Sequence, residues 1–270
     1  MTYGWAILII AVVLVALFRM GVLNSANFAP KAQPGSCQVF KTVEGTSLEG
    51  TCNNELPQYV ARFDGVDSVI TVGNNQNLHF AGPFSVVAWV YMPAEQTSGA
   101  PEVINDYNGA YKGYQLYVNS GNIVFFYVGG SSSGEFCASA QTISLKTWYQ
   151  IVGIYNGIAP NVYVDGVQTS CSAFSPIVAE SGTTSIGEAN WYNEYFDGSI
   201  SNIQLYNTSL SANDVAALYY EGIGGAPFDV QNLVGWWPLN GNANDYSGNN
   251  NGAATNVIYT GSWTSGYSQP

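Results

Sequence analysis

The sequence predicts an all-β sandwich preceded by one long, wholly apolar helix. Three observations carry that prediction. From residue 36 onward, short runs rich in β-branched and aromatic residues recur between turn dipeptides, with a single helical pattern among them. Residues 5–18, in contrast, read Trp-Ala-Ile-Leu-Ile-Ile-Ala-Val-Val-Leu-Val-Ala-Leu-Phe without a charge. Between the two, residues 25–35 are rich in Pro, Gly and Asn, a composition that ends a helix and makes a hinge.

The apolar run with its flanks, residues 1–24, approaches the roughly 20 residues that span a bilayer as a helix. It is apolar on every face, so it needs lipid or similar helices around it. Trp5, Ile7, Leu8, Ile10, Val12, Leu14, Leu17 and Phe18 are its expected packing residues. A retained segment is favoured over a cleaved signal, because no basic region precedes the run and no clean Ala-x-Ala site follows it. Arg19 and Lys31 lie after the run, which by the positive-inside rule keeps the remainder in the cytoplasm. The cysteines and a glycosylation sequon argue the opposite, so a short basic leader ahead of Met1 is expected.

The 270 residues include 6 Lys+Arg and 18 Asp+Glu, a net charge of −12. Charged residues make up 9%, where an ordinary soluble domain has about 25%. No Lys or Arg follows Lys146. Such a surface repels phosphate backbones, which excludes nucleic-acid binding. The lone His79 rules out multi-histidine zinc sites, and its place before a strand-like run reads as a half-buried, hydrogen-bonded ring rather than a catalyst. Cys37, Cys52, Cys137 and Cys171 lack CxxC spacing, so two disulfides in an oxidising compartment are expected. Three pairings are open. Cys37–Cys52 and Cys137–Cys171 are favoured, since each staples neighbouring strand-like segments. Asn207-Thr208-Ser209 is a single N-glycosylation sequon and fits an extracytoplasmic surface.

Strands are predicted at residues 61–65, 68–72, 84–91, 114–118, 123–128, 148–155, 162–164 and 200–206. Asp64-Gly65, Asn108-Gly109, Asn156-Gly157, Asp165-Gly166 and Asp197-Gly198 mark turns. Asp64 and Asp165 are read as turn residues, and Asn249-Asn250-Asn251-Gly252 as a plain turn. Residues 211–220 form a helical turn or two, capped by Ser209 or Ser211.

Two resemblances extend this reading. Met1-Thr2-Tyr3-Gly4-Trp5-Ala6-Ile7-Leu8-Ile9-Ile10, running on to Gly21-Val22-Leu23, resembles the N-terminal helix of archaeal type IV pilin-like proteins. That resemblance implies a prepilin peptidase cut and a membrane-inserted precursor. It also implies a filament core in which the helix packs against copies of itself. The family's leader and its early acidic residue do not occur in the sequence. The second resemblance begins at Phe63-Asp64-Gly65-Val66-Asp67 and runs through residues 84–90, Gly113-Tyr114-Gln115-Leu116, Trp148-Tyr149 and Tyr163-Val164-Asp165-Gly166. It ends with Ile186-Gly187, Phe196-Asp197-Gly198-Ser199-Ile200, Tyr206-Asn207 and Leu210-Ser211. Pieces in that order are similar to the laminin-G-like, concanavalin A-like jelly-roll family, which implies that fold for residues 36–260, with 261–270 as a tail. Ser201-Asn202 departs from the acidic residues the family often has. Residues 233–245 resemble the segment that usually opens this fold. For residues 229–258 a permuted strand closing its own sheet is favoured over a strand donated to a neighbouring subunit or a second domain cut short.

No Glu-x-Asp-x-x-Glu strand of the family's glucanases occurs, so no catalytic residue is assigned. Residues 186–196 are similar to the calcium loop of the pentraxin branch. The resemblance places calcium ligands at Glu188, Asn190 and Glu194, with Asp106 or Asn108 adding oxygens from the adjacent loop. Tyr107, Trp191 and Tyr192 then offer flat faces to a sugar. Against that stands an ordinary solvated polar loop. The expected function is an extracellular pilin-like subunit displaying an adhesive, glycan-binding sandwich. A membrane-anchored glycan binder that never polymerises and a secreted glycan-active enzyme are the alternatives.

Overall fold

The computed structural model describes Phe40–Lys41, Leu48–Glu49 and residues 56–270, except positions 98, 108, 175, 190–192 and 249. The predicted N-terminal helix, its packing residues, the hinge, Cys37 and Cys52 lie outside the described residues. Among the described residues no helix is long and apolar enough to cross a membrane.

β1 (Phe40–Lys41) and β2 (Leu48–Glu49) form a short antiparallel pair. There follow β3 (Val60–Asp64), β4 (Val69–Gly73), β5 (Phe84–Tyr91), β6 (Glu102–Asn105), β7 (Gly113–Val118), β8 (Ile123–Gly129) and β9 (Gly134–Thr142). Next come β10 (Trp148–Tyr155), β11 (Pro160–Val164), β12 (Val167–Ser170), β13 (Thr184–Ile186), β14 (Glu188–Ala189), β15 (Glu194–Tyr195) and β16 (Asp197–Tyr206). Helix α1 (Ala212–Glu221) precedes β17 (Leu233–Trp237), β18 (Ala253–Thr255) and β19 (Ile258–Thr260). One sheet has the order β12-β11-β10-β5-β16-β3-β19, with β17 also paired to β16. The second has the order β18-β4-β13-β6-β7-β8-β9. The two sheets enclose a core that includes Phe63, Ile70, Phe84, Leu116, Phe126, Ile151, Ile186 and Trp237.

β5 is apolar apart from Ser85 because both of its faces are covered. Phe84, Val86, Ala88 and Val90 enter the core, while Val87 meets the buried side of α1. Trp89 joins Trp148 and Trp263 in a separate cluster. Gly153 on β10 leaves room for a ring from the opposite sheet: a Cβ there lies 2.2 Å from Phe126. Ser211 caps α1. Its hydroxyl accepts from the Asp214 N–H, and the Asp214 carboxylate accepts from the Ser211 N–H.

Each predicted strand is present, and β6, β9, β12 and the short β13 to β15 add to them. Asp197-Gly198 is not a turn. Both residues belong to β16, opposite Asp64 and Phe63. The glycine serves close approach there, since a Cβ at Gly198 lies 2.4 Å from the Tyr91 carbonyl oxygen. Asp165 and Gly166, at φ 48 and 77, do form the two-residue turn between β11 and β12. Asp64 Oδ1 accepts the N–H groups of Val66, Asp67 and Ser68 at 2.9, 3.1 and 3.2 Å. Desolvation raises that carboxyl, but these bonds outweigh it and hold the pKa at about 2.

The C-terminal strands pair within the chain: β17 with β16, β18 with β4, and β19 with β3. Buried Asp245 organises this return. It accepts the N–H groups of Trp236, Ser247 and Asn250 at 2.8, 2.8 and 3.0 Å. Asn250, expected in a plain turn, is buried and donates to the Val234 carbonyl at 2.9 Å. The expected tail is packed as well. Trp148 Nε1 donates to the Trp263 carbonyl at 2.9 Å, and Trp263 Nε1 to that of Pro57 at 3.0 Å. Cys137 and Cys171 are joined. The bond ties β9, the last strand of one sheet, to the segment after β12, the last strand of the other.

Candidate functional site

The outer face of the first sheet is taken. Val215 and Leu218 of α1 pack on Val152, Ile154, Tyr163 and Tyr206, and Trp263 and Tyr267 pack beside Trp89 and Trp148. Among the described elements no helix crosses the outer face of the second sheet.

Register decides what that face carries, because residues directly opposite on neighbouring strands share a face. One row runs Glu102, Tyr117, Phe125, Ala138 across β6, β7, β8 and β9. The next runs Ser185, Asn105, Gln115, Tyr127, Phe136 from β13 to β9. Both rows begin polar and end apolar. Tyr117 stacks on Phe125 at 5.1 Å and 6° between ring planes. Tyr127 lies 4.6 Å from Phe136 and meets Tyr107 edge-on at 5.3 Å. The polar ends and both row tyrosines, Tyr117 and Tyr127, are buried, whereas Phe136 is 53% exposed and neighbouring Tyr111 52%.

Glu102 is fully buried. Its Oε1 accepts from Gln115 Nε2 at 2.6 Å, and Oε2 has no hydrogen-bond partner. Burial first, and then the charge of Glu194, pushes this carboxyl well above the usual range. Burial, Glu102 and Glu194 likewise push up the Tyr117 phenol. The sequence reading missed Glu102, Gln115, Tyr117, Phe125, Tyr127 and Phe136 as a group.

Of the residues expected to hold calcium, the described ones are Glu188, Glu194 and Asp106, and Asn108 lies outside the described residues. Asn190, Trp191 and Tyr192 lie outside the described residues. In the β14–β15 pair Glu188 stands opposite Tyr195, and Ala189 opposite Glu194. The two glutamates therefore point to opposite faces. Glu194 accepts the N–H groups of Gly99 and Ala100 at 3.2 and 2.8 Å. The Asp106 side chain is buried and accepts from His79 Nδ1 at 2.9 and 3.1 Å and from Thr184 Oγ1 at 2.9 Å. Among the described residues no group of three or more His, Cys, Asp or Glu side chains is placed to hold a metal ion. The described donors do not fit calcium, and no step below runs through it. His79 is the hydrogen-bonded ring the sequence predicts, with both nitrogens engaged. Asn207, of the sequon, is exposed just beyond β16.

Asn202, where the family often has an acid, braces the sheet beneath α1. At φ 49 it donates to the Gly225 carbonyl at 2.7 Å. Its oxygen accepts from Trp236 Nε1 at 2.9 Å and Gln204 Nε2 at 3.1 Å.

Two antiparallel sheets, one of them with aromatic rings along its outer face, define a jelly-roll sandwich of the lectin type. A family model described as the concanavalin A-like lectin/glucanases superfamily matches residues 64–216, and the chain belongs to that superfamily. Among solved structures, the heptameric SAP-like pentraxin of Limulus polyphemus is similar at 16% identity and a TM-score of 0.51, over 75% of this chain and 94% of that one. A protein from Bacteroides ovatus ATCC 8483, whose description proposes carbohydrate binding, is similar at 13% identity and a TM-score of 0.56, over 85% and 70%. At these identities the likeness shows the fold. No curated protein matches the sequence.

Proposed function

We propose that this chain is a surface-displayed carbohydrate-binding protein. Its sandwich is carried outside the cell on an apolar N-terminal helix that packs into a pilin-like filament. The observation that supports binding most is the outer face of the second sheet, where aromatic rings end both rows and Phe136 is exposed. Flat rings hold the apolar faces of sugars, and a lectin-type family fits that use. The disulfide fits an oxidising, extracellular setting. Display rests on residues 5–18, apolar on all sides.

A glycan array probed with the full chain, with and without EDTA, tests binding. Selective retention on glycans supports it, and no retention on any glycan overturns it. Negative-stain microscopy of producing cells tests display. Filaments containing the chain support the pilin role, while release by detergent as monomers replaces it with a simple membrane anchor.

A further inference from the structure

Phe125 and Phe136 differ from the other rings of the outer face. Each has one side backed by a tyrosine from the neighbouring strand, Tyr117 at 5.1 Å and Tyr127 at 4.6 Å. On the other side Phe125 stands opposite Ala138, whose side chain is a single methyl group, and Phe125 is partly exposed. Phe136 lies on β9, the last strand in the hydrogen-bonded order of its sheet; β12 of the other sheet stands beside β9, where the Ala140 N–H donates to Thr169 Oγ1 at 2.9 Å. Phe136 is 53% exposed, with the Tyr127 ring against one side. Phe125 is opposite Ala138 and therefore diagonal to Phe136. Diagonal neighbours of this kind sit about 7–8 Å apart.

We propose that Phe125 and Phe136 are paired stacking positions for neighbouring residues within an uncharged polysaccharide chain. The inference rests on the carbohydrate-binding reading and gives it a location and a ligand class. Two ring surfaces at that separation reward a ligand with two linked sugars over one terminal sugar, because the second contact is made without a second association cost. Charge selects the class. Neither row contains a base, and the chain as a whole is at −12. An acidic glycan finds no counter-charge in the rows and meets repulsion on approach. No metal takes part, since the rows contain a single carboxylate.

The test uses the full chain and calorimetric titration with cello-, malto- and chito-oligosaccharides from one to six residues, and with a galacturonate hexamer, each with and without EDTA. Affinity that rises with chain length for a neutral series, ignores EDTA and is absent for the galacturonate supports the proposal. F136A is expected to weaken that binding about tenfold, with F136W restoring it and thermal unfolding of both matching the parent. Neutral-glycan binding unchanged in F136A and F125A, or abolished by EDTA and by E194Q, overturns the proposal and leaves carbohydrate binding in place at the 186–196 loop. Self-association of the parent that F136A abolishes overturns it in favour of a second copy on this face. Binding of no sugar at all removes the proposal and the carbohydrate reading together.

Discussion

The side-chain oxygen of Asn74 stands 2.9 Å from Nε2 of His79. Its orientation is fixed from behind, because Asn74 Nδ2 donates to the Ser181 carbonyl, which can only accept. Nε2 must then carry a hydrogen. Nδ1 faces the Asp106 carboxylate, which burial pushes above its ordinary range while the His79 and Thr184 contacts pull it down. With that carboxylate ionised, His79 satisfies both contacts as an imidazolium. The Asp106 hydrogen bond raises its pKa above 6.5, against the opposing effect of burial, with the charges of Asp106 and Glu180 adding to the rise.

A raised histidine pKa stabilises the fold fully below the unfolded value, and that contribution is lost as pH rises through the folded value. Thermal unfolding is expected to show stability falling on the alkaline side of about pH 6.5, with H79Q flattening that slope. The single imidazole also gives one NMR titration. A midpoint at or below the free-histidine value contradicts the imidazolium assignment.

Asp165 has the opposite consequence. Burial pushes its carboxyl up to about 6, although Oδ1 accepts the Gln150 N–H at 2.8 Å. The fold favours the protonated form, so stability is expected to fall as pH rises from 3.8 to about 6, then stay lower. D165N keeps the acceptor and suits the φ of 48 while removing the charge. Urea denaturation is expected to show D165N more stable than the parent by about 1 kcal/mol near neutrality, after solvent screening, and equal to it near pH 3.

The fold was legible where chemistry is local, and the outer face of the second sheet was not. Asp165-Gly166 and Ser211 with Asp214 announce a turn and a cap in a few residues, and both are where they were read. Asp197-Gly198 has the same dipeptide signature, but its glycine answers to the Tyr91 carbonyl, a contact 107 positions away in sequence that no local pattern records. In β8 the outward Phe125 and Tyr127 alternate with inward Val124, Phe126 and Val128, so both faces read apolar and the alternation is invisible. The two rows depend on register across five strands, and register is a property of the fold. The calcium expectation came from the resemblance of residues 186–196 to a calcium loop, and resemblance of sequence does not record that Glu188 and Glu194 stand opposite Tyr195 and Ala189, not each other, in the β14–β15 pair.

The Cys137–Cys171 bond closes a loop with a sequence separation of 34. By the chain-entropy account such a crosslink stabilises by about 3–4 kcal/mol. C137S/C171S is expected to unfold at lower denaturant by that amount, with the parent matching it under reductant. Equal midpoints for parent and variant without reductant contradict the crosslink.

Asn202 gives a prediction in which pH separates two variants. N202A strands the Trp236 indole N–H and weakens the bonding of the Gly225 carbonyl, both in a buried network, at about 1–3 kcal/mol for each unsatisfied group. N202D restores the residue type frequent in the family and still accepts from Trp236 and Gln204. Its ionised carboxylate, however, points an acceptor at the Gly225 oxygen, where the native amide donates at 2.7 Å. Protonation supplies the missing donor. Denaturation of N202D is thus expected to match N202A or worse at neutral pH and to recover toward the parent as pH falls toward about 4, below which the recovery is complete. A flat difference across that range means the Gly225 contact contributes nothing to the stability of the network.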